Sequence, residues 1–253
     1  MPSKKKVIEA PAVKVEKKYA TLTSWSYSVY SSYVKCALSV CFDKVLCIRI
    51  EEPPNPHFEK GDRVHKSAES HIKGTGKAPT VIPELVGVKD RLNVFRKMRA
   101  MAELEWAFTK DYVQTSWFGR DAWLRMKVDV CATSSEPPLI QITDWKTGKV
   151  YPEHKQQRSL YALGGLQMAE LGLLPGIKSG DKAVELIAEH LYTDTTQSAT
   201  ERFKMKDLKP LKREWGARIK GMMSDTTYRA TTGFHCRYCK FRKSAGGPCQ
   251  EDQ

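Results

Sequence analysis

Two strand-forming stretches, residues 123–131 and 139–146, flank the segment Thr133-Ser134-Ser135-Glu136-Pro137-Pro138. Their pairing is the tightest constraint in the chain. An antiparallel hairpin centred between Glu136 and Pro137 puts Asp129, seven residues before Glu136, opposite Asp144, seven after Pro137. Directly opposed residues on one face have Cβ atoms about 4.5–5.5 Å apart. Two carboxylates that close repel each other unless positive charge lies between them. Lys146, two residues beyond Asp144, shares its face, because side chains alternate along a strand. Trp145 and Ile142 are expected to point the other way, toward a core. Two Asp and one Lys on one sheet face suit a hard divalent cation, Mg²⁺ or Mn²⁺, with a cationic helper. The plainer reading is a strand running into a turn at Thr147-Gly148, and a bulge would spoil the register.

Around this hairpin the chain alternates in character. Residues 1–20 hold six Lys and two Glu and read as a flexible basic arm. From Thr21 to Lys73 the spacing is mainly helical: one helix is capped by Ser24 or Ser26 and another starts near Gly61. Glu51–Pro56 and Lys73–Pro83 are expected to be loops, and Leu92, Phe95 and Met98 mark a short helix. Alternation of period two begins at Ala102 and covers Glu103 and Glu105, either of which can line the active face or a plain exposed one. A helix over 153–173 follows, then a strand over 186–192, a polar loop, and a helix over 208–223 with the apolar stripe Leu211, Trp215, Ile219 and Met222.

Charge narrows the class of partner. Lys and Arg number 42 against 29 Asp and Glu, a net +13, which asks for a polyanion, most often nucleic acid. The longest apolar runs are a few residues, so no membrane span is expected. The N-terminus lacks the apolar stretch of a secretory signal. Seven cysteines, an odd number, argue against a disulfide framework and for a reducing, cytoplasmic setting.

The hairpin also carries a resemblance. Lys127-Val128-Asp129, then Ile142-Thr143-Asp144-Trp145-Lys146-Thr147-Gly148, resembles the signature of the PD-(D/E)XK nucleases. It is most similar to the RecB/AddB-like branch, with its CRISPR-associated and viral exonucleases. Gln157-Arg158-Ser159-Leu160-Tyr161 matches the Gln-x-x-x-Tyr helix of that branch, and Gly61-Asp62-Arg63-Val64-His65 its Gly-x-x-x-His helix. Ser26-Tyr27-Ser28 and Tyr33-Val34-Lys35-Cys36 resemble its first motif. Ala37 stands where that motif usually has Pro, and Val128 where the family signature has Pro; both positions shape backbone.

The resemblance implies a restriction-endonuclease-like α/β fold: a mixed sheet flanked by helices, with a helical N-terminal part and a C-terminal helix bearing a Cys-rich tail. It divides the chain into an arm over 1–20, a helical part over 21–90, a nuclease core over 91–200 and a C-terminal helix and tail over 201–253, with 21–253 one compact unit. Asp129, Asp144, the carbonyl of Trp145 and His65 would hold Mg²⁺ or Mn²⁺. The cation would lower the pKa of a water and neutralise charge on the scissile phosphate. Lys146 would orient the hydroxide or stabilise the pentavalent transition state, Gln157 would position water or phosphate, and Tyr161 would share its helix face. Taken alone, a histidine such as His65 is more often a packed or capping residue than a ligand.

Cys236, Cys239 and Cys249 supply three soft ligands, and the resemblance makes Cys36 the fourth, implying a 4Fe-4S cluster that ties the first helix to the tail. Zinc, held by the tail cysteines with His235 or Cys36, is the competitor. Cys41, Cys47 and Cys131 are expected to be ordinary buried thiols. Arg237, Lys240, Arg242 and Lys243 cluster around the tail cysteines, and Lys212 and Arg213 lie on the last helix; these are the expected DNA contacts. Trp25, Trp117 and Trp123 suit base stacking, or core packing. The function expected is a metal-dependent DNA exonuclease acting on ends in recombination, repair or DNA degradation, with a helicase or recombination protein as associate. The alternatives are an inactive nuclease-fold DNA-binding or assembly factor and an RNA-directed nuclease.

Overall fold

A computed structural model describes residues 18–52, 54–74 and 82–251 of the 253. Nearly all of the expected basic arm and most of the 73–83 loop lie outside the described residues.

One six-stranded sheet organises the chain. In chain order its strands are β1 (Met101–Phe108), β2 (Gln114–Thr115), β3 (Leu124–Ser135), β4 (Pro138–Lys146), β5 (Glu185–Tyr192) and β6 (Gln197–Lys204). Their spatial order is β2-β1-β3-β4-β5-β6, with only β4 and β5 parallel. The helices are α1 (Tyr27–Lys35), α2 (Ala37–Val40), α3 (Pro56–Lys73), α4 (Lys89–Lys97), α5 (His154–Glu170) and α6 (Leu208–Ser224). Helix α5 is the crossover that a parallel β4–β5 pair requires. The expected mixed sheet flanked by helices is what forms.

The β3–β4 hairpin takes the register set by a turn at Glu136-Pro137: Ser135 faces Pro138, Cys131 faces Ile142 and Val130 faces Thr143. Continuing that count brings Asp129 and Asp144 face to face at the open end. Strand alternation then sorts the two cores. Cys131, Ile140 and Ile142 join Leu163 and Leu166 of α5 and Trp215 of α6 in the larger one. Val130, Ala132 and Trp145 join Val64 and Ala68 of α3 and Phe95 of α4 on the other face. Trp145 therefore points away from Asp144 as expected. Ile142 does not: it lies two residues from Asp144, so the pleat puts both on the α5 side.

Helix α5 sits close to the sheet because of two adjacent glycines. A Cβ at Gly164 would stand 2.6 Å from Met126 of β3, and one at Gly165 would stand 2.5 Å from Leu186 of β5 and 2.8 Å from Ile142 of β4. That close approach sets the height of Gln157 and Tyr161 above Asp144.

Three expectations change. Helix α3 starts at Pro56, not near Gly61: Asn55 accepts from the His57 amide at 3.0 Å and proline occupies the first turn, where its missing N–H costs nothing. The polar loop before the last helix contains β6, whose residues pair along the whole length of β5. Cys41 and Cys131 are buried as expected, but Cys47 is exposed. Among the described residues no helix is long and apolar enough to cross a membrane.

Candidate active site

At the open end of the hairpin three carboxylates and two cations converge. Asp129 and Asp144 are only 6% and 4% exposed. Asp129 Oδ2 accepts from the Trp145 amide at 2.8 Å, which fixes its orientation. His65, on α3, reaches over with Nδ1 3.4 Å from Asp129 Oδ2 and 3.5 Å from Glu103 Oε1. Lys146 Nζ is 2.7 Å from Asp144 Oδ2. The other oxygen, Oδ1, accepts from the Tyr161 hydroxyl and from Gln157 Nε2 at 3.3 Å, while Gln157 also donates to the Tyr161 hydroxyl at 2.9 Å. Gln157 and Tyr161, one turn apart on α5, thus hold Asp144 in concert.

Protonation follows from this crowding. Burial and the neighbouring Asp144 push the Asp129 carboxyl up to about 6. Burial acts on Asp144 in the same sense, but the Lys146 ammonium outweighs it and holds that carboxyl below its ordinary value. Desolvation would lower the His65 pKa, yet hydrogen bonds to Asp129 and Glu103 carry it up to about 10. Tyr161, buried against Asp144, is raised well above the usual phenol range and keeps its proton.

These donors fit a divalent cation. Ligand atoms of His65, Glu103 and Asp129 lie within 4.8 Å of one another. Glu103 Oε1 and Asp144 Oδ2 are buried without a well-aligned hydrogen bond, although a cationic side chain stands near each. Buried acceptors left that way are rare unless another ligand completes them. Carboxylate oxygens with one imidazole suit Mg²⁺ or Mn²⁺ rather than a soft metal.

Glu103 is the residue that sequence reasoning left open beside Glu105. Its φ of 51° is left-handed, uncommon for a residue other than glycine. The β1–β3 ladder pairs Ala102 with Val130 and Leu104 with Val128 on either side of it. Local distortion of this kind re-aims a side chain, and here the carboxylate turns to His65 while Glu105 stays exposed and pairs with Lys127 at 3.2 Å. His190 was missed outright. It neighbours Asp144 across the parallel β4–β5 pair and is fully buried. Burial is the main reason its pKa falls to about 3.

The carboxylates open onto a cleft of about 1420 Å³ whose walls include Ser26, Tyr27, Phe58, Lys66, Trp117, Arg125 and Lys127. Trp117 faces this cleft with Lys127 Nζ 5.8 Å from its ring. Trp25, by contrast, is buried and stacks on Trp215 at 5.6 Å, with Trp123 against its edge.

Elsewhere the remaining candidates occupy two regions. Cys36, Cys236 and Cys249 lie close enough to Cys239 to raise its thiol pKa, after the larger effect of burial. Among the described residues, the group whose ligand atoms all lie within 4.8 Å of one another is His65, Glu103 and Asp129, with no cysteine in it. In the tail, Lys240 pairs with Asp43 at 3.3 Å and Glu52 at 3.8 Å, acids brought from the N-terminal part. The basic cluster is therefore not free of acids, because the fold docks the tail on residues 41–52. Arg242 donates to the Cys239 carbonyl at 3.0 Å, and Arg237 lies over the Phe234 ring. Arg237 and Lys243 are exposed. On α6, Arg213 is exposed, whereas Lys212 is half-buried with its ammonium 4.6 Å from the Tyr112 ring centre.

A family model described as the PD-(D/E)XK nuclease superfamily matches residues 24–244. No curated protein matches the chain. Among solved structures, the crystal structure of SSO0001 is 13% identical over 92% of this chain and 88% of that one, with a TM-score of 0.39.

Proposed function

The chain belongs to the PD-(D/E)XK nuclease superfamily, and on that premise we propose a metal-dependent DNA nuclease of the RecB/AddB-like branch that degrades DNA from its ends. One observation carries the reading: Asp129, Asp144, His65 and Glu103 line one cleft, and Lys146 pairs with Asp144 there. A platform that only bound DNA would gain nothing from three carboxylates facing a polyanion.

His65, Glu103, Asp129, Asp144 and the Trp145 carbonyl would hold the cation. When bound, Mg²⁺ or Mn²⁺ supplies Lewis acidity toward the scissile phosphate and a more acidic water. The protein's own groups do the rest. Lys146 turns its ammonium to the phosphate oxygens as their charge grows, where it stabilises the transition state more than the ground state. Tyr161 and Gln157 keep Asp144 Oδ1 oriented throughout. Outer partners of this kind fix ligand geometry. Arg125, Lys127 and Lys66 line the approach and offset phosphate charge.

Four cysteines at the junction of helix and tail suit a 4Fe-4S cluster, which would act as a clasp rather than a redox centre. Arg213, Arg237 and Lys243 then extend a basic surface for DNA, in a protein working in an intracellular, reducing setting.

The test is degradation of linear and covalently closed circular DNA, and of RNA of the same sequence, with Mg²⁺, Mn²⁺ or EDTA. The proposal predicts loss of linear DNA only, and only with a cation. Binding of DNA without cleavage under every condition would mark an assembly factor instead, and preferential loss of RNA an RNA-directed nuclease.

A further inference from the structure

Behind Asp144, away from the cleft, a second layer of side chains has no part in the chemistry so far. His190 on β5 sits beside Asp144, with Nε2 3.8 Å from Asp144 Oδ2. Its other nitrogen, Nδ1, is 3.2 Å from Arg158 Nη1. Arg158 in turn donates from Nε to Glu201 Oε2 on β6 at 3.3 Å. The His154 ring packs edge-on against His190 at 5.2 Å.

Guanidinium is a donor only. Nδ1 must therefore offer a lone pair to Arg158, so the ring is neutral and its proton is on Nε2, facing Asp144 Oδ2. Both of these facing atoms are buried and make no aligned hydrogen bond. A buried N–H and a buried carboxylate oxygen in that state cost free energy until they meet, yet an ion pair with Lys146 at 2.7 Å already claims the oxygen.

We propose that His190 is a positioning residue: its Nε2–H takes over Asp144 Oδ2 when Lys146 leaves that oxygen for the substrate, so the carboxylate keeps its place and charge. Resting on the nuclease reading, this assigns β6 a purpose as well, since Glu201 holds the arginine that sets the tautomer. Asp144 is thus fixed at Oδ1 by Tyr161 and Gln157 throughout, and at Oδ2 by Lys146 or His190 in turn.

Nitrogen-15 NMR of the histidine rings in the full chain, near neutral pH, tests the tautomer without any turnover. The expected result is a neutral His190 protonated at Nε2; an Nδ1–H ring or an imidazolium would overturn the proposal. His190→Leu and His190→Gln add a second measurement, Mn²⁺ binding by calorimetry beside cleavage kinetics. Loss of an outer partner typically costs about 10–100-fold in metal affinity or activity. The Leu variant is expected to lose that much in Mn²⁺ affinity and kcat at unchanged KM for DNA, and Gln, which keeps a donor, to recover most of it. Equal losses in both variants, or none in Leu, would overturn it. Should the Leu variant fail to fold, the wild-type tautomer decides. A wild type that binds Mn²⁺ but cuts nothing would defeat the nuclease reading, while the tautomer and Mn²⁺ affinities would still decide the role of His190.

Discussion

Replacing Tyr161 with Phe deletes a single oxygen at the most crowded point of the site. Tyr161 is 5% exposed, and its hydroxyl donates to the buried Asp144 Oδ1 while accepting from Gln157 Nε2 at 2.9 Å. A hydrogen bond to a charged group contributes about 1.5–3 kcal/mol. The lower end of that range applies if Gln157, already 3.3 Å from Oδ1, shifts to take the vacated acceptor alone. For a chain of this size about 2–4 °C accompanies each kcal/mol, so Tm should fall by about 3–12 °C. The same change loosens a carboxylate proposed to hold metal, so the outer-partner effect of about 10–100-fold is expected in Mn²⁺ affinity. Thermal melting in EDTA, monitored by circular dichroism, and calorimetric titration with Mn²⁺ read the two effects separately. An unchanged Tm together with unchanged Mn²⁺ affinity would refute the argument that the α5 hydroxyl holds Asp144.

Other consequences are as direct. Gly165→Val drives a branched side chain into Leu186 and Ile142, an overpacking that costs about 1–3 kcal/mol, measurable by urea denaturation; a variant as stable as wild type would show that α5 does not need the glycine. Burial alone would raise the Asp225 carboxyl, but the amides of Tyr228 and Thr227 and the Tyr33 hydroxyl hold it below its ordinary value. A carboxyl more acidic in the folded than in the unfolded chain gives its full stabilisation above the unfolded pKa of about 3.9 and loses it as pH falls through the lower folded value. Asp225→Asn should therefore flatten the acid limb of a stability–pH curve in that window and lower stability at pH 7. Anaerobic purification should give protein carrying iron and sulfide, and Cys239→Ser should lose both and melt earlier; a colourless wild type with stoichiometric zinc would replace the cluster with a zinc site.

Legibility in the sequence followed the physics of each element. The hairpin was readable because a turn at Glu136-Pro137 and a period of two leave one register, and that register brings Asp129 to Asp144. Ile142 was misplaced only where the same parity was not carried through. Helix α5 was readable in its span, expected over 153–173 and formed over His154–Glu170; its two glycines, costly in a helix, make sense only against the close neighbours that the fold supplies. Strand β6 was not, because Gln197–Lys204 is an edge strand with few apolar residues. Its half-buried positions mix Ala199 and Phe203 with Glu201, which faces Arg158, so the apolar alternation is broken at its centre. Glu103 differs from Glu105 by a left-handed φ that composition does not encode. His190 lay in an apolar strand with no motif around it, and its meaning comes from the register of β5 against β4. A buried histidine two places before Tyr192, in a strand otherwise made for a core, was the signal available.

In the proposed function, the carboxylates at the end of the hairpin serve to cut the strand that the basic surface holds. Asp144→Ala addresses it directly, with DNA binding and Mn²⁺-dependent degradation of linear DNA measured on the same preparation as wild type. Binding is expected to persist and degradation to disappear. Degradation by the variant at the wild-type rate would contradict it.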